Sequence, residues 1–133
     1  KLVEELTNEI QPEVVFTHHP GDLNLDHALL GRATITATRP IPGCGVKEVY
    51  AFESPSSTEW TFQKTGPVFQ PDTFYDISDY FHTKIAALKC YRTEIRPAPH
   101  PRSTEVVTAI AHRWGSVIGC DAAEAFELIR SIR

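Results

Sequence analysis

The sequence predicts an α/β fold: a parallel sheet with flanking helices and a short antiparallel excursion. Three observations carry this prediction. A continuous apolar run, Val14-Val15-Phe16, leads into a polar cluster and then into helical spacing. A second β-branched and aromatic run, Val46 to Glu53, follows that helix. Strand, helix, strand in this order implies a right-handed crossover, which makes the two strands parallel. Finally, 133 residues with 41% hydrophobic content suffice for a single domain, 1–133, with a real core.

The elements follow in order. Leu2, Val3, Leu6 and Ile10 have helical spacing with an acidic solvent face, and Pro12 ends the helix. Glu13 to Thr17 reads as a short strand buried on both faces. Asp22 to Thr38 reads as a loop and then a helix, with Leu25, Leu29, Leu30, Ala33 and Ala37 as its inward stripe. Asp22 or Asn24 is its N-cap. Arg39 to Gly45 is a stop and turn, and Val46 to Glu53 the next strand. After a loop, Ser54 to Thr58, two short aromatic-rich runs, Glu59 to Phe62 and Thr73 to Ile77, form the antiparallel excursion. Ser78 caps a helix predicted over Asp79 to Ile95, with Phe81, Ile85, Leu88 and either Cys90 or Tyr91 inward. Three prolines stiffen Arg96 to Arg102. Ser103 caps a helix running to about Trp114, where Gly115 can stop it. Ala122 to Ile132 has helical propensity, yet Phe126 and Leu128 alternate with Glu127 as in a strand. Both readings stand.

Composition excludes several classes. Thirteen basic against 17 acidic residues give a net charge of −4, which argues against a nucleic-acid surface or a polybasic membrane patch. No apolar run approaches the roughly 20 residues of a membrane span, and no signal-peptide pattern opens the chain. Cys44, Cys90 and Cys120 are odd in number and lack Cys-x-x-Cys spacing, so they read as buried, reduced thiols of a cytoplasmic protein. His82 and His112 read as structural. Trp60, Phe62, Phe69, Phe74 and Tyr75 suit core packing or a subunit contact, with a sugar-binding floor as the rival use.

The densest chemistry lies in residues 17 to 27, Thr-His-His-Pro-Gly-Asp-Leu-Asn-Leu-Asp-His, where a strand gives way to a helix. His27 falls in the first helical turn, placed to ligate a metal, with Asp22 and Asp26 near enough in sequence to ligate or orient it. The rival reading is that Asp22 and Asn24 cap the helix while Asp26 answers its dipole. His18 and His19 stand at the mouth of the strand, and alternation sends one of them into the cleft without saying which. Arg96, His100 and Arg102 form a small cationic loop suited to a polar or anionic substrate group, or simply a stiff connector.

Three segments carry a resemblance. Val15-Phe16-Thr17-His18-His19-Pro20-Gly21-Asp22-Leu23-Asn24-Leu25-Asp26-His27 resembles the second motif of the zinc N-deacetylase family typified by GlcNAc-phosphatidylinositol de-N-acetylase, the PIG-L or LmbE-like family. Tyr80 to Tyr91 resembles that family's long helix. Pro99 to Ser103, with Ala123 to Arg130, resembles the tail of its bacterial members.

The resemblance implies a Rossmann-like α/β sheet and a zinc ion held in part by His27. It implies metal-activated water attacking the acetamide of an N-acetylated amino sugar or its conjugate. It gives Asn24, Asp26 and Asp22 supporting parts beside His27, with Asn24 and Asp26 as the catalytic candidates; the residues themselves mark His18, His19, Asp22, Arg96, His100 and Arg102 as candidate substrate contacts. The family's first motif, His-Pro-Asp-Asp-Glu, which supplies further ligands and the general base, is absent from these residues. Many members carry histidine where this chain has Asn24. An amide can donate a hydrogen bond to an oxyanion but supplies no proton, so a nearby histidine (His18, His19 or His100) is expected to serve as the acid. The chain contains no methionine and opens inside an uncapped helical pattern. It therefore reads as the C-terminal portion of a longer enzyme, inactive alone and expected to form a homo-oligomer. The alternative is a non-catalytic binding or assembly domain that keeps the fold.

Overall fold

The computed structural model describes residues 1–133. The elements are α1 (Leu2–Ile10), β1 (Val14–His18), α2 (Leu25–Ala37), β2 (Glu48–Phe52), β3 (Thr73–Asp76), α3 (Phe81–Cys90), α4 (Thr104–Ile118) and β4 (Ala123–Ser131). Short 3-10 turns occupy Glu59–Thr61 and Ser78–Tyr80. This is a mixed α/β fold. Two compact units divide the chain: Lys1–Asp72 with Phe126–Arg133, and Thr73–Ala125.

In the first unit β1 and β2 pair in parallel, from Val14 opposite Glu48 to His18 opposite Phe52. β2 pairs antiparallel with the later residues of β4, with an irregularity at Val49/Tyr50. The β1–α2–β2 crossover is the one expected from the sequence. β1 has one strand neighbour. It is not buried on both faces. Val14 and Phe16 are 42% and 47% exposed, because α2 covers only the Thr17 face. There the Thr17 hydroxyl donates to Thr34 Oγ1 at 3.2 Å. On the other face Phe16 stacks on Tyr50, with ring centroids 5.3 Å apart.

The packed face of α2 differs from the expected leucine stripe. Gly31, Thr34 and the C-capping Thr38 are buried, while Leu25 and Leu29 are 82% and 69% exposed. Helix and strand approach too closely for large side chains: a Cβ on Gly31 would lie 2.6 Å from the His18 carbonyl oxygen. Small residues at i, i+3 and i+7 therefore form the contact. Asn24, not Asp22, is the N-cap, its side chain accepting the Asp26 N–H at 2.9 Å. Glu59 to Phe62, expected as a strand run, begins as a 3-10 turn closed by Phe62 at φ 51°.

In the second unit β3 lies beside the first residues of β4, and Ile77 N–H donates to the Ala122 carbonyl at 2.9 Å. The ambiguous Ala122 to Ile132 segment resolves as a strand, its alternation overriding helical propensity. α3 is shorter than predicted, because Ser78 does not cap it. Ser78 instead donates its N–H and hydroxyl to Asp76 Oδ1, at 2.9 and 2.6 Å. Phe81, Ile85 and Leu88 are half-buried, whereas Cys90 and Tyr91 face solvent. α4 continues through Gly115 to Ile118, and Gly119, at φ 80°, ends it. Gly115 serves close packing instead, since a Cβ there would lie 2.6 Å from the Cys120 carbonyl oxygen. The three thiols are free but none is buried: Cys44 and Cys120 are half-buried and Cys90 exposed. No helix is long and apolar enough to cross a membrane.

Candidate metal centre

The C-terminal ends of β1 and β2 and the N-terminus of α2 converge in the first unit. In an open α/β sheet this end of the strands collects ligands. β1 delivers His18, the connecting loop delivers Asp22, and the first turn of α2 delivers His27. Their ligand atoms lie within 4.8 Å of one another, so this cluster could hold a metal ion.

Asp22 organises the cluster. Its side chain is fully buried. Oδ1 accepts the Thr58 hydroxyl at 2.5 Å, and Oδ2 lies 2.9 Å from His27 Nδ1. A carboxylate only accepts, so Nδ1 of His27 carries a proton, and in the neutral ring Nε2 keeps its lone pair. A carboxylate that fixes the tautomer in this way is the usual partner of a ligating histidine. Both Asp22 oxygens are thus engaged within the protein.

His18 lies parallel to His27, with ring centroids 3.9 Å apart and planes at 8°. Its Nδ1 is 3.1 Å from Ser54 Oγ. Partial burial and the adjacent His27 hold His18 below the usual histidine range, against the pull of Asp22. A neutral imidazole is the form a metal needs. Two imidazoles beside a carboxylate suit zinc and similar divalent ions.

The sequence left open which of His18 and His19 enters the site. His18 does. His19 turns the other way and is 2% exposed, with Nε2 2.9 Å from the Pro67 carbonyl oxygen. Asn24 is exposed at the helix cap, and Asp26 is exposed two residues further on. Both border the centre without joining the ligand cluster. Arg96, His100 and Arg102 belong to the second unit. There Arg96 donates to the carbonyls of Thr93 and Ile95, Arg102 pairs with Glu94, and His100 Nδ1 accepts the Arg102 N–H at 3.0 Å. The cationic loop is thus largely tied down by its own neighbours.

Ser54 and Thr58 escaped the sequence reading. Their signal was a hydroxyl-rich loop directly after a strand parallel to β1, which brings that loop to the same end of the sheet.

No protein-family model matches the chain. A curated relative, 4-oxalmesaconate hydratase from Pseudomonas putida, is 34% identical over 98 residues, covering 65% of this chain and 34% of its own. The conserved protein TT1542 from Thermus thermophilus superposes with a TM-score of 0.76 at 22% identity, over 99% of this chain and 58% of that one. N,N'-diacetylchitobiose deacetylase from Pyrococcus horikoshii superposes with a TM-score of 0.65 at 17% identity, over 97% and 51%. The chain therefore spans about a third of the curated relative and little more than half of the two solved structures. Together with the motif in residues 15 to 27, these likenesses show that the chain has the LmbE/PIG-L-like fold.

Proposed function

We propose that this chain forms part of the metal centre of a zinc-dependent N-deacetylase acting on an N-acetylated amino sugar or its conjugate. The observation that carries the reading is the Asp22–His27 bond, which holds the His27 ring by its Nδ1–H beside the parallel His18. The fold shared with N,N'-diacetylchitobiose deacetylase supports it.

His27 and His18 would hold the metal, together with ligands from the rest of the protein. When bound, the metal supplies a Lewis acid that acidifies water and offsets developing negative charge. The chain's own residues do the remaining work. Asp22, held by Thr58, fixes the His27 tautomer. Asn24 has its side-chain oxygen committed to the Asp26 N–H, so its amide presents only donor hydrogens, which suit an oxyanion. Of the histidines expected to serve as the acid, His18 adjoins His27, whereas His19 is turned away and buried. With His18 committed to the metal as a neutral ring, neither histidine supplies the proton for the leaving amine, which must come from elsewhere in the protein.

A second reading is favoured by one observation, the hydratase relative. The same centre would then direct water to an unsaturated acid instead of an amide. Assays of the protein that carries this chain separate the readings. Acetate release from N-acetylated amino sugars, lost with a chelator and in His27→Ala, is expected. Water addition to an unsaturated dicarboxylate without acetate release selects the second reading. Sugar binding that ignores the chelator, with no turnover, would leave only a binding or assembly domain.

A further inference from the structure

We infer that His19 is a positioning residue, which locks the loop between β1 and α2 so that Asp22 can orient His27. The inference rests on the metal-centre reading above, but it concerns a residue outside the ligand cluster.

Three hydrogen bonds meet on this one residue. Its N–H donates to the Phe52 carbonyl on β2 at 3.2 Å, and its carbonyl accepts the Asp22 N–H at 3.2 Å. The ring then reaches two further segments. Nε2–H donates to the Pro67 carbonyl at 2.9 Å, and Nδ1 faces Glu127 Oε2 on β4 at 3.3 Å. Phe69 packs edge-on against the ring, with centroids 5.5 Å apart. At 2% exposure, water does not substitute for these partners.

The backbone around it leaves no slack. A Cβ on Gly21 would lie 2.3 Å from the Pro67 oxygen and 2.6 Å from His19 Nε2. The Gly66-Pro67 segment is therefore pressed directly onto the turn that carries Asp22, and the His19 ring holds it there. Glutamine reproduces the Nε2 donor to the Pro67 carbonyl, whereas the shorter asparagine falls short of it. Loss of the ring frees the Pro67 segment and the His19–Asp22 turn, and the Asp22–His27 bond loses its fixed geometry. Partners that orient a ligand typically change metal affinity 10- to 100-fold.

The test uses the protein that carries this chain and two independent readouts. The first needs no metal: ¹H–¹⁵N NMR of the His27 ring, which reports the Nδ1–H tautomer. The second is Co²⁺ affinity and absorption spectrum. The expected result is that His19→Ala loses the fixed His27 tautomer and weakens Co²⁺ binding about tenfold or more. His19→Gln, which keeps the bond to Pro67, restores most of both. Should His19→Ala fail to fold, His19→Asn, which falls short of the Pro67 carbonyl, carries the comparison against His19→Gln and is expected to lose the fixed tautomer. A folded His19→Ala with the parental tautomer overturns the inference. So does a parental tautomer in a folded His19→Asn. Failure of the metal reading looks different: no Co²⁺ is bound even by the parent, while the tautomer still answers to His19.

Discussion

Asp22 is the residue on which the centre turns. Buried, it accepts from Thr58 on one oxygen and from His27 on the other. Asp22→Ala strands both donors and should destabilise the fold by about 1–3 kcal/mol, measured by urea denaturation, and free the His27 tautomer. Thr58→Val removes one donor and should cost about 1 kcal/mol. The motif singled out His27 and Asp22, which the fold brings together, because Asp-x-Asn-x-Asp-His is local. Which aspartate holds His27 was not legible. Asp26 is adjacent in sequence, yet Asp22, five residues earlier, makes the bond, since Asn24 draws the chain into a capped turn between them. The roles of Ser54 and Thr58 depend on pairing between β1 and β2, and the hydroxyl-rich loop after β2 was their one trace.

At the scale of elements, α2 places the centre through its small-residue face. Gly31→Ala would force a methyl against the His18 carbonyl. The helix-propensity gain of about 1 kcal/mol works the other way, but the backbone clash should prevail, with a net loss of about 1–3 kcal/mol and weaker metal binding. Leu29→Gln, on the exposed side, should be near neutral in the same urea titration. The leucine stripe misled because large apolar side chains imply burial only where there is room for them. At the β3–α3 junction, the Ser78 hydroxyl and N–H hold the Asp76 carboxyl below its usual range. A carboxyl depressed in the folded state stabilises above its unfolded pKa, and that contribution is lost as pH falls through the folded value. Urea midpoints measured from neutral to acid pH should therefore fall less steeply in Asp76→Asn than in the parent. Ser78 was expected to cap a helix. Its choice of Asp76 depends on the β3 turn, which spacing alone does not show.

At the scale of the whole molecule, the α/β class followed from the order of apolar runs, and the β1–α2–β2 crossover bears it out. The mixed character of the sheet was hidden in Ala122 to Ile132, where propensity and alternation disagree and only pairing with β2 decides. β1 leaves one edge unpaired and carries exposed Val14 and Phe16, while Leu2, Leu6 and Ile10 of α1 are also exposed. Unpaired apolar edges promote association. Light scattering of the isolated chain should show self-association that Phe16→Lys reduces; a monodisperse monomer would contradict this.

The most direct test is elemental analysis of the protein that carries this chain, beside its His27→Ala variant at matched folding by circular dichroism. The account predicts a stoichiometric divalent metal in the parent and its loss in the variant. Equal metal content in the two would show that His27 holds none of it.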